Sequence, residues 1–170
     1  MDLADLGTIR RIMREYGLFA QKQMGQNFLI DREVLATIVQ AANLKPVNRV
    51  LEIGPGLGTL TRALAPKAGQ IVAVEKDLQL LKAARGINAD LANVRFVQGN
   101  ALMLNPDFFD KYLNGGRYKL VANIPYYLTS AIIRFFLEAK TRPTLMVLMV
   151  QKEVAERIVA QPPDANLLSV

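Results

Sequence analysis

From residue 50 to residue 160 short apolar runs alternate with stretches of helical spacing, and this alternation constrains the fold more than any other feature of the chain. The apolar runs predict strands at 50–53, 71–74, 94–97, 118–122 and 145–150, with another beginning at 167–170. Helices are predicted between them at 59–65, 78–84, 106–113, 130–139 and 152–160. A strand that reaches the next strand through a helix returns to the same end of the sheet, so the strands run mainly parallel with helices on both faces. The expected class is α/β with a doubly wound sheet, in which ligands bind outside the carboxyl ends of the strands. Run 145–150 is apolar throughout, as for a strand buried on both faces. The chain stops in an apolar strand rather than a polar tail, so the sheet is expected to lack its last strand or strands.

Upstream, Ile9, Ile12, Met13 and Tyr16 at helical spacing predict a short amphipathic helix, with Arg10, Arg11 and Arg14 on its surface and Gly17 at its end. A linker at 19–25 follows, carrying Lys22. Asp31 then caps a helix that runs to about Asn43. Residues 1–45 are thus expected to form a helical lead-in, and 46–170 the sheet domain.

The chain has neither cysteine nor histidine. Disulfides, thiolate or imidazole metal centres and Ser-His or Cys-His nucleophiles are excluded, and no metal is expected. The net charge of +6 suits a polyanionic partner, or merely a soluble domain with a positive excess. No run approaches the roughly 20 apolar residues that span a bilayer, and the first residues lack a signal-peptide pattern. A cytoplasmic monomer without a membrane partner is expected.

Four motifs fall at predicted strand ends. Glu52-Ile53-Gly54-Pro55-Gly56-Leu57-Gly58 is a G-x-G-x-G turn between a strand and a helix, where Gly54 and Gly56 let backbone approach a ligand closely. Its third glycine comes one residue too early for a dinucleotide fingerprint, and the G-K-[ST] of a phosphate-binding loop is missing. The spacing is similar to the first motif of class I methyltransferases, which hold S-adenosylmethionine. Glu75 ends the next strand, where a carboxylate can accept bonds from both ribose hydroxyls, or simply complement a helix dipole. Asn100 ends the third strand as a ligand residue or a turn former.

Asn123-Ile124-Pro125-Tyr126 ends the fourth strand and matches the motif of methyltransferases that act on an amino nitrogen in a planar system. The chemistry explains the residue types. An exocyclic amine is a poor nucleophile because its lone pair is delocalised into the ring. The Asn123 oxygen and a nearby backbone carbonyl can accept its two N–H bonds and draw the nitrogen toward tetrahedral geometry. Pro125 has no N–H to compete for those acceptors. Tyr126 offers a flat face to a base swung out of its stack.

Together with Gly25-Gln26-Asn27-Phe28-Leu29 and 149–157, these motifs run in the order of the ribosomal RNA adenine N6,N6-dimethyltransferases, and the resemblance, strongest to their bacterial 16S branch, covers nearly the whole chain. It implies a Rossmann-like methyltransferase domain that binds S-adenosylmethionine through Asn27, Leu29, Gly54, Gly56, Glu75, Asn100 and Asn123, with Phe28 in the pocket floor. It assigns catalysis to Asn123, Pro125 and Tyr126. It implies transfer of two methyls to each of two adjacent adenosines near the 3′ end of 16S rRNA in the 30S subunit. The family's usual acid is replaced by Asn100, whose carbonyl oxygen can still accept from the adenine amine. A helical C-terminal domain that grips RNA is absent from this chain, so the chain is expected to bind the cofactor and to methylate poorly or not at all. Other readings are a non-catalytic RNA-binding assembly factor, a 23S rRNA methyltransferase, a nicotinamide oxidoreductase, and a methyltransferase acting on DNA adenine or a protein amide.

Overall fold

A computed structural model of the chain describes residues 1–18 and 28–160, apart from the side chain of Tyr126. Five strands form one parallel sheet: β1 (Arg49–Ile53), β2 (Gln70–Glu75), β3 (Val94–Gln98), β4 (Lys119–Asn123) and β5 (Leu145–Met149). Their order is β3-β2-β1-β4-β5, so the winding reverses between β1 and β4. Such a reversal opens a crevice at the strand tips. The strand expected at 167–170 lies outside the described residues.

Alternation along each strand sorts the core into two layers. Val50, Ile71, Ala73 and Val121 face one side, against the helices α2 (Arg32–Ala42), α3 (Thr59–Leu64) and α4 (Leu78–Ile87). Leu51, Val72, Val74 and Leu120 face the other, against α5 (Pro106–Leu113) and α6 (Thr129–Glu138). Phe136 is fully buried there. The expected caps form: the Asp31 carboxylate accepts from the Glu33 and Val34 amides, and Gly17 ends the first helix in the left-handed region. At the far end of α2 the Lys119 ammonium, at the base of β4, donates to the Ala42 carbonyl over 2.9 Å. It sits where the helix dipole is negative.

Strand β5 departs from expectation. Each of its five residues is half-buried rather than enclosed. It is the last strand of the described sheet, so β4 pairs with one side of it and no described strand with the other. An apolar run reports what a strand can bury, and its place in the sheet decides what it does bury. The helix α7 (Lys152–Val159) likewise has no buried residue among those described. None of the described helices is long and apolar enough to cross a membrane.

One tight approach holds the base of the sheet. The Gly69 amide donates to the Asn48 carbonyl over 3.0 Å. A methyl group on Gly69 would fall inside any allowed contact with the Pro46 carbonyl oxygen. The neighbour is backbone and has no rotamer to change. Gly69→Ala is therefore expected to cost about 2–3 kcal/mol, in the range of overpacked cores. A lower urea midpoint with an unchanged slope would register it.

Candidate active site at the strand tips

The tips of β1 to β4 surround one cavity of about 310 Å³. Its wall includes Gly54 and Gly56 after β1, Glu75 at the tip of β2, Asn100 after β3, and Asn123 and Pro125 at the tip of β4. The expected site residues within the described structure thus converge, Leu29 among them. Asn27 and the Tyr126 side chain lie outside the described residues; the backbone of Tyr126 opens a 3-10 turn, Tyr126–Leu128.

The glycine turn is built from left-handed backbone, with φ of +66° at Gly54, +58° at Gly56 and +93° at Gly58. Side chains other than glycine rarely adopt such angles. At Gly58 a Cβ would also come within 2.5 Å of the Asn88 amide nitrogen. That nitrogen donates to the Leu57 and Ala84 carbonyls and ties the turn to α4.

The lead-in covers the turn from outside. Helix α1 (Leu6–Glu15) buries Ile9 and Ile12 with Leu57, Leu80 and Ala83. The Thr59 hydroxyl donates to the Leu3 carbonyl over 3.1 Å, and the Phe28 ring lies against Gly56. Arg10, Arg11 and Arg14 remain exposed on the opposite face. Phe28 and Leu29 both line the cavity.

Glu75 is more constrained than its sequence position implies. One carboxylate oxygen accepts from the Gly56 amide over 3.2 Å, and the other from the Asp77 amide over 2.9 Å. The carboxylate thus locks the tip of β2 to the glycine turn. Burial raises its pKa, against the pull of the amides of Asp77, Gly56 and Lys76. Each oxygen keeps a further lone pair for a ligand hydroxyl.

Glu52 is the site residue that the sequence reading passed over, as no more than the first letter of the glycine motif. It is 1% exposed, lines the cavity, and neither carboxylate oxygen has a hydrogen-bond partner among the described residues. Burial pushes its pKa up to about 8; Thr61 opposes the shift and the negative charge of Glu75 adds to it. An acid inside an otherwise apolar strand was the available signal. A buried carboxyl without a partner is costly unless a ligand or a proton satisfies it.

Asn100 also holds a surprise. Its side-chain oxygen, expected to face a ligand, accepts from the Leu102 amide over 3.1 Å and caps the 3-10 turn Ala101–Met103. Tyr127 lines the cavity while 68% exposed, so it stands at the mouth rather than packing in the core. Pro125 accepts from the Leu128 amide over 2.9 Å, which pins the turn that follows Asn123.

The cavity thus combines glycine backbone, two carboxyls of raised pKa and apolar walls. Those donors and acceptors fit a ligand with a positive charge, a pair of hydroxyls and a flat apolar ring, and S-adenosylmethionine has all three.

Comparison with known proteins agrees with this chemistry. The ribosomal RNA adenine dimethylase family profile matches residues 18–170. The chain is 47% identical to ribosomal RNA small subunit methyltransferase A of Dehalococcoides mccartyi, over 97% of this chain and 56% of that protein. It is 42% identical to the protein of the same name from Moorella thermoacetica, over 99% of this chain and 61% of the other. The chain therefore spans little more than half the length of these relatives. Among solved structures it is similar to a dimethyladenosine transferase from Plasmodium falciparum, with a TM-score of 0.69 and 29% identity over 82% of this chain and 50% of that one. It is also similar to the 23S rRNA methyltransferase ErmE, with a TM-score of 0.67 and 36% identity over 77% of this chain and 50% of the other.

Proposed function

The chain belongs to the ribosomal RNA adenine dimethylase family, and from that premise we propose that it carries the S-adenosylmethionine site and the amine-activating residues of an enzyme that dimethylates N6 of two adjacent adenosines near the 3′ end of 16S rRNA. The observation that carries this reading is the single cavity that joins the glycine turn, Glu75 and Asn123. The substrate is the small ribosomal subunit in the cytoplasm, and the protein acts there as a monomer.

When bound, the cofactor supplies a methyl group activated by a sulfonium. The protein's own share is to bind, orient and desolvate. Gly54 and Gly56 bring backbone against the ligand, Glu75 accepts from the ribose hydroxyls, and Glu52 faces the positive end. Leu29 closes over it from the lead-in, and the family motif gives Asn27 a cofactor contact. At the β4 tip Asn123 accepts one N–H of the adenine amine. The Pro125 carbonyl already accepts from the Leu128 amide, and the backbone carbonyl of Ile124, which also lines the cavity, is the second acceptor. Holding both N–H bonds in place returns the nitrogen lone pair from the ring to the side facing the methyl group. Tyr127 at the mouth stacks on the flipped base, worth about 1–3 kcal/mol per base in comparable sites, and the family motif gives Tyr126 the same role. Positioning of this kind, rather than a strong base, is what the transfer requires.

The test is a single-turnover methyl-transfer assay with unmethylated 30S particles, protein in excess so that weak RNA affinity does not hide the chemistry, and 50S particles as the competing substrate. Transfer to 30S alone is expected, and transfer only to 50S would reject the substrate assignment. The cofactor site is tested separately by titration with S-adenosylhomocysteine. Glu75→Ala is expected to weaken binding about 150-fold, since it removes two charge-assisted ligand bonds of about 1.5 kcal/mol each.

A further inference from the structure

The polarity of the base subsite follows from the way Asn100 is held. Its oxygen accepts from the Leu102 amide over 3.1 Å. A carboxamide held in this way cannot flip, because flipping would set its NH2 against the N–H of Leu102. The end of the side chain that does not face the backbone is therefore the donor. A carboxylate in the same place would offer an acceptor there, since its second oxygen would stand where Asn100 has NH2.

Asn100 lines the cavity at the tip of β3, beside Ala101 and Leu102, and next to the β2 tip that carries Glu75. If Glu75 holds the ribose, a base extending from the sugar along the sheet runs toward β3. The edge of the purine farthest from the sugar then meets Asn100. That edge carries one ring acceptor, N1, and one donor, the 6-amino group.

We propose that Asn100 donates a hydrogen bond to the ring nitrogen N1 of the cofactor's purine and leaves the 6-amino group unread, so that the subsite selects a ring acceptor rather than the exocyclic amine. This rests on the cofactor reading above and goes beyond it, because it reverses the hydrogen-bond sense expected from the residue's position in the sequence.

The experiment is a calorimetric titration of the protein and its Asn100→Asp variant with three ligands: S-adenosylhomocysteine, its counterpart lacking the 6-amino group, and its 1-deaza counterpart, in which C–H replaces N1. The wild-type protein is expected to bind the first two within about threefold and the 1-deaza compound about tenfold more weakly, the size of one lost hydrogen bond in a desolvated site. Asn100→Asp keeps the turn cap and is expected to lose about tenfold with the ligand that lacks the amine, the acceptor having lost its donor. A wild-type protein that loses tenfold on removal of the amine, or nothing on loss of N1, overturns the proposal while leaving the cofactor reading intact. Failure to bind any of the three overturns both. The wild-type ratios decide the matter even if the variant does not fold.

Discussion

Asn123→Ala is expected to lower single-turnover methyl transfer at least 10²- to 10³-fold while S-adenosylhomocysteine still binds within about tenfold of wild type, the pattern of a group that acts mainly on the reacting centre. Asn123 ends β4, and its backbone is set by the ladder pairing Asn123 with Met149 on β5. Its neighbour Ala122 is fully buried opposite Ile53. Truncation at residue 123 removes an acceptor from the cavity wall and keeps the residue's place in the backbone ladder. Without that oxygen the amine keeps its lone pair in the ring, and the loss appears in the rate. Asn123→Asp keeps an acceptor but adds a fourth carboxyl to a cavity already lined by Glu52, Glu75 and Asp77. It should retain more activity than the alanine variant if hydrogen-bond acceptance is the main role. Equal transfer by wild type and Asn123→Ala would remove Asn123 from the chemistry.

Glu52→Gln is expected to stabilise the ligand-free protein and to weaken cofactor binding, with both effects growing with pH. The Glu52 pKa is raised from 4.5 to about 8 in the fold, chiefly by burial. The folded protein thus holds a proton that the unfolded chain releases in this window. Stability from this group falls as pH rises from about 4.5 to about 8, and is level above. Glutamine has nearly the same shape and no charge to suppress. At pH 7 the difference amounts to at most roughly 3 kcal/mol in favour of the variant, from 1.36 kcal/mol per pH unit; at pH 5 it falls to about 1 kcal/mol or less. The Thr61 hydroxyl stands beside this carboxyl, and its oxygen can take the new amide proton. Ligand binding should move the other way. A cation entering beside Glu52 favours its ionised form, so wild-type affinity should rise with pH toward 8 and calorimetry should detect proton release into the buffer. The glutamine variant should show neither. Thermal melts of both proteins at pH 5 and pH 8 decide the stability half, and a pH-independent gap would sink it.

Much of this was legible in the residues themselves. The five described strands fall within about one residue of their apolar runs, because each run pays for burial on a pleated surface. Asp31 and Gly17 act as punctuation where their side-chain chemistry says they should. The glycine turn, Glu75, Asn100 and Asn123 were recognisable because each ends or follows a strand, and parallel strands bring their ends to one rim. Contacts made across long sequence separations were hidden. Nothing near Glu52 announces that Thr61 and Glu75 surround it, and nothing near Asn100 reveals which end of its amide faces the backbone. The edge position of β5 depends on the strand order, which local pattern does not encode. The apolar face of α1 was visible, but its partners Leu57 and Leu80 were not.

The four tips that face the cavity belong to strands adjacent in the sheet, β3, β2, β1 and β4. Neighbouring strands lie about 4.8 Å apart, so the tips span three intervals, or roughly 14 Å. Hydrogen-bonded ladders hold that pitch and cannot stretch, which makes the sheet a ruler. The intervals between whatever Asn100, Glu75 and Asn123 grasp are fixed by backbone spacing, and side-chain substitution cannot reset them. A ligand one methylene longer between its sugar and its transferable group would carry that group past the β4 mark, with no strand free to follow it.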